Sequence, residues 1–395
     1  MTPPTDIAPR SATLDLDTLI DDRSIRVVVC CGSGGVGKTT TAAALALRAA
    51  DRGRRVVVLT IDPARRLAQS LGLTELDNDP RPVAGVEGTG TLDAMMLDMK
   101  RTFDEFVESN ADAERAATII ANPFYQSLSS SFAGTQEYMA MEKLGQLRSR
   151  AEAEGTWDLI VVDTPPSRSA LDFLDAPRRL GSFLDGRFIR ILAAPAKAGG
   201  RAYLKVLSAG LGMFTSVLSR VIGGEVLTDV QTFVAAVDTL FGGFRERADE
   251  TYALLKDSGT SFVVIAAPER DALREAAYFV ERLRTDDMPL AGLVLNRVQD
   301  VDDPELTSEQ AGAGAQNLDE LALSSSPAHA ETERLTAALL RLHAQRLSLA
   351  ARQQHLADRF TAAHPGVPMT SVLALAEDVH DLDGLRTVGE LLAKD

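Results

Sequence analysis

A glycine-rich stretch near the start of the chain carries the clearest chemistry in the sequence. Residues 32–39 read Gly-Ser-Gly-Gly-Val-Gly-Lys-Thr. They follow an apolar run at 25–31 and precede an alanine-rich segment at 40–50, and this strand–loop–helix setting distinguishes a phosphate-binding loop from a chance match. The glycines let successive backbone N–H groups turn toward phosphate oxygens at a helix N-terminus. The pattern therefore predicts a site for the triphosphate of a nucleotide.

The positions of this loop have separable roles. The ammonium of Lys38 would reach the β- and γ-phosphates, and the Thr39 hydroxyl would hold Mg²⁺. The predicted nucleotide contacts in the loop are Gly34, Gly35, Val36, Gly37, Lys38, Thr39 and Thr40. The expected ligands are ATP and Mg²⁺. The alternative is a glycine turn that happens to precede a surface lysine.

Composition excludes several other classes. The formal net charge is −15, from 41 Lys+Arg and 56 Asp+Glu, which argues against nucleic acid as the main partner. Cys30 and Cys31 are adjacent and offer neither a disulfide framework nor a Cys-x-x-Cys metal clip, as expected in a reducing cytoplasm. No apolar run reaches the length of a bilayer span, and the first residues lack the apolar region of a secretory signal.

Strand patterns alternate with helical ones along the chain. Apolar runs occur at 56–61, 159–162, 262–265, 290–295 and 372–375, and residues 91–97 are a further candidate strand. Such alternation predicts an α/β fold with a doubly wound, mostly parallel sheet. Ligands in such sheets bind at the carboxyl ends of the strands.

The remaining segments predict the domain organisation. We expect residues 1–24 to form a disordered tail and residues 25–395 to form one nucleotide-binding domain. Two helical insertions, at 99–153 and 171–256, would build a helical subdomain on this domain. The Ser-, Gly- and Ala-rich stretch at 302–331 predicts a mobile loop, followed by a long helix at about 331–363.

Two aspartates follow predicted strands. Asp163 ends the apolar run at 157–162, a position typical of a Mg²⁺ ligand that binds the metal directly or through water. Asp62 follows the strand after the loop helix and is the candidate that orients an attacking water. The alternatives are a helix cap at Asp163 and an N-cap of a helix at 64–72 for Asp62.

In this order the motifs resemble those of the arsenite-pump and tail-anchored-protein-targeting (ArsA/GET-type) ATPases, in the MinD-like branch of the P-loop NTPases. The motifs are Gly-Gly-Val-Gly-Lys-Thr at 34–39, Asp-Pro-Ala at 62–64, Asp-Thr-Pro-Pro at 163–166 with Leu-Asp-Phe-Leu at 171–174, Pro-Glu at 268–269 and Leu-Asn at 295–296. The resemblance spans about residues 25–300. It implies that Asp62 polarises the water and that Lys38, Thr39 and Asp163 serve the phosphates and Mg²⁺.

The resemblance also implies contacts and partners. Asn296 would contact the adenine, and Pro268 and Glu269 would lie in the nucleotide site. The family works as a dimer that closes on nucleotide and moves helices holding a client. The hydrolase would be cytoplasmic, with peripheral membrane association left open.

The chain departs from the family pattern at Ser33, where the family carries a signature lysine. In relatives that lysine neutralises the partner's nucleotide, so this chain resembles a divergent bacterial member. Either a related subunit supplies the lysine in a heterodimer, with a homodimer left open, or hydrolysis is slow and the chain is a nucleotide-binding regulatory or scaffold subunit. Arg65 and Arg168 would compensate in part, or form surface ion pairs. Thiolate-bound arsenite and a zinc-linked homodimer are both disfavoured.

One stretch contrasts with the acidic chain. Residues 186–224 contain six basic residues and no acidic one, interleaved with apolar residues. This composition fits a groove for a hydrophobic client or membrane protein, a contact with anionic lipid, or a core helix. A MinD-like role in positioning at the membrane is disfavoured, because the chain lacks a terminal basic amphipathic helix.

Overall fold

The structure is a computed structural model that describes residues 12–62, 66–123, 125–126, 135–165, 249–301 and 306–393. Within these ranges one sheet contains eight strands. The strands are β1 (Val27–Gly32), β2 (Arg55–Thr60), β3 (Arg81–Pro82), β4 (Thr91–Met96), β5 (Leu159–Asp163), β6 (Thr260–Ala266), β7 (Leu290–Val298) and β8 (Met369–Leu373). The strand order is β3-β4-β2-β5-β1-β6-β7-β8.

Helices flank this sheet and connect its strands. They are α1 (Leu16–Asp21), α2 (Lys38–Asp51), α3 (Arg66–Ser70), α4 (Met99–Asn110), α5 (Ala113–Ile120), α6 (Thr135–Glu154), α7 (Arg270–Thr285), α8 (Ser308–Ala322), α9 (Pro327–Ala363) and α10 (Leu382–Leu392). Residues 249–256 are also helical. Among the described residues, no helix combines the length and hydrophobicity needed to cross a bilayer.

The sheet is parallel except where β3 pairs with β4. Every residue of β1, β5 and β6 is buried. Alternate residues of β1 enter two different cores: Val27 and Val29 pack on one face, and Val28 and Cys30 pack on the other. Burial on both faces explains the continuous apolar runs in the sequence. The predicted α/β fold with a doubly wound, mostly parallel sheet is confirmed.

The predicted disorder of residues 1–24 does not extend to residues 12–24. Thr13 forms an isolated β-bridge with Met369, the first residue of β8, and Leu14, Leu16 and Ile20 are buried. Helix α1 is fixed to α2 by ion pairs, among them Arg48 Nε to Asp17 Oδ1 at 2.5 Å. The apolar residues of this segment are spaced so that they share one face of a helix. The prediction of disorder rested on the overall polar composition and overlooked this spacing. Residues 1–11 lie outside the described residues.

The predicted mobile loop at 302–331 is also corrected. Thr307 caps α8 with a capping box that includes Gln310, and α9 begins at Pro327. Alanines at 311, 315 and 322 are buried where α8 packs against α9. A Ser-, Gly- and Ala-rich segment can be a close-packed helix because small side chains let two helix axes approach. Residues 302–305 lie outside the described residues.

The two predicted helical insertions are described to different extents. Helices α4, α5 and α6 lie within or extend just beyond residues 99–153. Of the second insertion, only residues 249–256 are described.

A buried arginine ties the elements together at the amino ends of β1, β2 and β5. Arg54 has no exposed surface. Its Nε donates to Asp158 Oδ1 at 2.8 Å, and its other nitrogens donate to the carbonyl oxygens of Ile20, Asp22, Ile25 and Asp158. The guanidinium therefore donates five hydrogen bonds, and a buried charge requires such partners.

Candidate nucleotide-binding site

The glycine-rich loop joins β1 to α2 in a conformation that only glycines adopt easily. Gly35 and Gly37 have φ of +79° and +94°, where other residues are strained. A Cβ on Gly37 would lie 2.3 Å from Asn296 Nδ2. Gly37 is the N-cap of α2 and makes no side-chain cap, so the first N–H groups of α2 have no partner within the helix. The loop and helix thus present backbone donors suited to phosphate.

Lys38 lies inside this loop. Its side chain is buried, and its Nζ donates to the carbonyl oxygen of Ser33 at 2.8 Å. Burial lowers the pKa of Lys38, while the nearby charges of Asp163 and Asp62 act in the opposite direction. The ammonium therefore lies within the loop and under the influence of two carboxylate charges. Its contact with the β- and γ-phosphates stays a prediction.

Asp163 is the fully buried carboxylate of the site. It ends β5, which pairs with β1 on one side and with β2 on the other. Its Oδ2 accepts hydrogen bonds from Thr39 Oγ1 at 2.7 Å and from Thr60 Oγ1 at 2.9 Å. Burial raises its pKa to about 6, and the two threonine hydrogen bonds oppose this shift.

The second oxygen of Asp163 supports the expected metal role. Asp163 Oδ1 is buried and has no hydrogen-bond partner among the described residues. An unsatisfied buried carboxylate oxygen is costly. Together with the Thr39 hydroxyl it forms an oxygen donor set of the kind that Mg²⁺ prefers. The residues present therefore fit a Mg²⁺ ion beside the loop.

Thr60 is a residue that sequence reasoning missed. It ends β2 and is buried beside Asp163. A hydroxyl at the end of an otherwise apolar run, two positions before Asp62, was the available signal. Only the pairing of β2 with β5 shows what this hydroxyl contacts.

Asp62 lies just beyond the carboxyl end of β2 and is partly exposed. Its backbone N–H donates to Thr60 Oγ1 at 3.3 Å. Its carboxylate is one of two whose charge acts on Lys38. Helix α3 begins at Arg66, and residues 63–65, including Arg65, lie outside the described residues. The water-orienting role of Asp62 and its alternative as an N-cap both stay predictions.

Asn296 and Arg297 hold the loop from β7. Asn296 Nδ2 donates to the carbonyl oxygen of Val36 at 2.8 Å, and its Oδ1 accepts from the Arg297 N–H at 2.9 Å. Arg297 has φ of +62° and donates from Nη1 to the Gly35 carbonyl oxygen at 3.0 Å. Two loop carbonyls are thus bound by consecutive residues. The adenine contact of Asn296 stays a prediction, and Arg297 carried no sequence signal of this role.

Pro268 and Glu269 follow β6, which pairs with β1 up to the Gly32–Ile265 pair. Pro268 is buried. Glu269 is exposed, adopts an extended conformation and is the N-cap of α7 without a side-chain cap bond. Both residues lie at the same sheet edge as the loop, and their nucleotide contacts stay predictions.

Ser33 occupies the position of the expected lysine. It is only 8% exposed, and its Oγ has no hydrogen-bond partner among the described residues. A hydroxyl there brings no positive charge. The other segments singled out in the sequence, Arg168, residues 171–174 and residues 186–224, lie outside the described residues.

Comparison with known proteins identifies the family. The family model described as "Anion-transporting ATPase" matches residues 25–329. This chain belongs to the anion-transporting ATPase family. The family resemblance predicted from the loop and the strand-end motifs is confirmed.

Curated ATPases are also similar to this chain. The "ATPase GET3" of Podospora anserina is 27% identical over 285 residues, covering 72% of this chain and 76% of that protein. The "ATPase GET3" of Malassezia globosa is 26% identical over 286 residues, covering 72% and 76%. The "ATPase get3" of Sclerotinia sclerotiorum is 26% identical over 285 residues, covering 72% and 75%. Members of the family are ATPases, which use nucleotide and Mg²⁺.

The matched family region ends at residue 329, whereas α9 runs to Ala363. Most of this helix therefore lies beyond the region by which the anion-transporting ATPases are recognised.

Proposed function

We propose that this chain is a Mg²⁺-dependent ATPase. The observation that carries the proposal is the convergence of Lys38, Thr39 and Asp163 at one end of the sheet, with the Thr39 hydroxyl 2.7 Å from Asp163 Oδ2. Phosphoryl transfer is promoted mainly by positioning and by stabilisation of charge, and these residues supply both beside a backbone phosphate cradle. Family membership supports the same activity.

The reaction is hydrolysis of the β–γ bond of ATP. The oxygen of a water molecule forms a bond to the γ-phosphorus, and the bond from this phosphorus to the bridging oxygen breaks. The electron pair of that bond leaves with ADP. Asp62 orients the water and accepts its proton, and Lys38 offsets the charge that develops on the phosphate oxygens. Mg²⁺ held by Thr39 and Asp163 would add neutralisation of the phosphate charge.

Point variants test this site. Lys38→Ala should abolish ATP binding, because it removes the buried cation. Asp62→Asn should keep ATP binding and lower turnover at least about 100-fold, the lower range of general-base contributions. Lys100→Ala is the matched control, since Lys100 is half-exposed and pairs with Asp104 on α4. Binding is measured by calorimetry and turnover by phosphate release. Unchanged binding and turnover in Lys38→Ala would show that the site is misassigned.

We further propose that the chain works as a dimer with a related subunit that supplies the missing cation. The supporting observation is Ser33, a buried and uncharged residue in the loop. The second candidate, favoured by the same residue, is a nucleotide-binding regulatory or scaffold subunit with little hydrolysis of its own. A homodimer that closes on nucleotide is the alternative arrangement, and it would bring Ser33 of one copy to the site of the other.

Ser33→Lys separates these candidates. A charged group supplied in trans contributes on the order of 10³–10⁵ in rate, so a chain limited by the missing cation should become faster on its own. Adding Asp62→Asn to Ser33→Lys should remove the gain. Turnover of the wild-type chain is compared alone and mixed with a related subunit. Equal rates in the two preparations, together with no gain in Ser33→Lys, would contradict the need for a second cation.

Nucleotide state would be coupled to a helical layer that holds a hydrophobic client or an anion-transport partner. The family description and the names of the GET3 relatives support this class of role. The candidate client segment at 186–224 lies outside the described residues. We propose that the protein acts in the cytoplasm with peripheral membrane contact, and without nucleic acid as a partner.

A further inference from the structure

Helices α8 and α9 form a long antiparallel hairpin. Helix α9 contains 37 residues and is therefore about 55 Å long. Near its carboxyl end, Ala357 and Phe360 belong to the hydrophobic core of the domain. Toward its start it packs against α8, where Ala330 and Ala337 are buried.

A stripe of leucines lies exposed along the first two thirds of α9. Leu335, Leu339, Leu342 and Leu349 are 62%, 59%, 54% and 36% exposed. Their spacing of four, three and seven residues places them at the a and d positions of a heptad repeat. These four residues are called the leucine stripe below. Soluble proteins expose leucines singly, but an aligned row of them marks an interaction surface.

Helix α8 does not cover the leucine stripe. It contacts the opposite side of α9, where Ala330 and Ala337 are buried and where Ser308 Oγ donates to the Ala344 carbonyl oxygen at 3.0 Å. On a helical wheel these contacts lie about half a turn from Leu339. Within the part of the chain that the structure describes, the four leucines of the stripe stay exposed, so this side of α9 can pair with another helix.

We propose that the leucine stripe pairs with the same stripe of a second copy of this chain, in antiparallel orientation. Core layers of antiparallel coiled coils place an a position opposite a d position. With the twofold axis midway between Leu339 and Leu342, these two leucines pack against each other twice. The same register places Leu335 against the aliphatic stem of Arg346, and Thr332 against Leu349.

Charge selects this orientation. In the antiparallel register the flanking g positions bring Glu331 of one copy opposite Arg352 of the other, and this pair forms twice. Both side chains are exposed, and neither forms an ion pair with another described residue. The other flanking pairs, Ala338 with Gln345 and Thr336 with His343, contain no acidic residue and so place no like-charged acids together.

Parallel pairing is disfavoured by the same residues. It would place the Arg346 side chains of both copies opposite each other at a core position, where like charges repel. It would also leave Glu331 and Arg352 without each other. The leucine stripe and its flanking charges are therefore complementary to those of a second copy in the antiparallel orientation and not in the parallel one.

The size of the surface sets the expected strength. The stretch from Glu331 to Arg352 is about 32 Å long, so it buries less than the ~800 Å² per partner of a standard interface. We expect a dissociation constant in the micromolar range. The association requires neither ATP nor Mg²⁺, which separates it from any dimer closed by nucleotide.

Sedimentation equilibrium of the full chain in EDTA, without nucleotide, tests the pairing. The double variant Leu339→Gln with Leu342→Gln should raise the dissociation constant at least about tenfold, equivalent to 1.4 kcal/mol. Leu373→Gln is the control, because Leu373 is 37% exposed on β8, away from the hairpin. Retained ATP binding and an unchanged circular dichroism spectrum show that each variant is folded. An unchanged dissociation constant in the double variant overturns the proposal.

A charge exchange tests the register. Glu331→Arg and Arg352→Glu should each weaken the dimer several-fold, and the two together should restore it.

Cysteine cross-linking tests the same register. Ala338→Cys should form a disulfide with a separate Gln345→Cys chain and not with itself. Failure of the exchange to restore dimers, or self-linkage of Ala338→Cys, overturns the antiparallel register. A wild-type chain that stays monomeric while the stripe is protected from hydrogen exchange would show that this chain's own remaining residues cover it, which also overturns the proposal.

Discussion

Asp163 shows how a buried carboxylate can be held in place through one oxygen while its other oxygen stays available to a ligand. Two threonine hydroxyls bind its Oδ2, while its Oδ1 has no hydrogen-bond partner among the described residues. The strand-end position of Asp163 and the sequence of the loop were enough to select Asp163 and Thr39, which the structure brings together, while their roles toward Mg²⁺ stay predictions. Thr60 and Arg297 were not predictable, because their contacts depend on pairing between strands that are distant in sequence.

At this scale we predict the effect of Asp163→Asn. Lys38 and the loop backbone remain, so ATP binding without Mg²⁺ should persist. The tightening of ATP binding by Mg²⁺ should be lost, because the variant has no carboxylate beside Thr39. Calorimetric titration of ATP with and without Mg²⁺ measures both quantities. Asp271→Asn, on the exposed first turn of α7, is the control. A variant that keeps the full Mg²⁺ effect would remove Asp163 from the metal site.

At the scale of elements, the loop is held by residues of two strands of the sheet. Strand β1 leads into it, and Asn296 and Arg297 bind it from the end of β7. The strand–loop–helix succession could be predicted, because local composition and glycine positions determine it. Most of α9 could also be predicted, as the long helix at about 331–363. Helix α8 and its packing on α9 could not, because the alanines and serines of α8 resemble a linker until the contact between the two helices is known.

Gly35 and Gly37 give a matched pair of positions in the loop. Both have positive φ, so an alanine at either costs about 1–2 kcal/mol in backbone strain. Only at Gly37 would the added Cβ also collide with Asn296, since nothing lies within 4 Å at Gly35. Gly37→Ala should therefore weaken ATP binding more than Gly35→Ala does. Adding Asn296→Ala should recover part of the loss at Gly37 and none at Gly35. Equal losses in the two single variants would contradict the clash.

At the scale of the whole molecule, Arg54 joins the N-terminal segment to two strands of the sheet. Asp158 is shared by the buried Arg54 and the exposed Arg23, whose side chains are 1% and 57% exposed. Burial of Asp158 raises its pKa, but the hydrogen bond and charge of Arg54 outweigh this and hold the pKa below its ordinary value. The order of residues 12–24 follows from such long-range contacts, which explains why the polar composition of this segment suggested disorder.

We predict unequal losses of stability from these two arginines. Arg54→Met removes one partner of a buried pair and should lower the free energy of unfolding by about 3–5 kcal/mol. Arg23→Ala removes an exposed partner and should cost at most about 1 kcal/mol. Urea denaturation at neutral pH measures both. Similar losses from the two variants would show that burial of an arginine does not determine its contribution to the free energy of unfolding.

The pH dependence of this network has a definite sign. A carboxyl group with a depressed pKa stabilises the fold above its unfolded pKa, and this contribution is lost as pH falls through the folded pKa. The difference in unfolding free energy between wild type and Arg54→Met should therefore be largest at neutral pH and shrink on acidification. Urea titrations at several pH values measure it. A difference that grew toward acidic pH would contradict the depressed pKa.

The interior position of β1 has a consequence for chemical reactivity. Cys30 and Cys31 are wholly enclosed, and burial raises the pKa of both, that of Cys31 to about 12. Because thiolates and not thiols attack electrophiles, neither sulfur reacts readily at neutral pH despite lying next to the phosphate loop. Alkylating inhibitors and mild oxidants should leave nucleotide binding intact in the folded protein. Rapid labelling of these sulfurs would instead report that the central strand has opened.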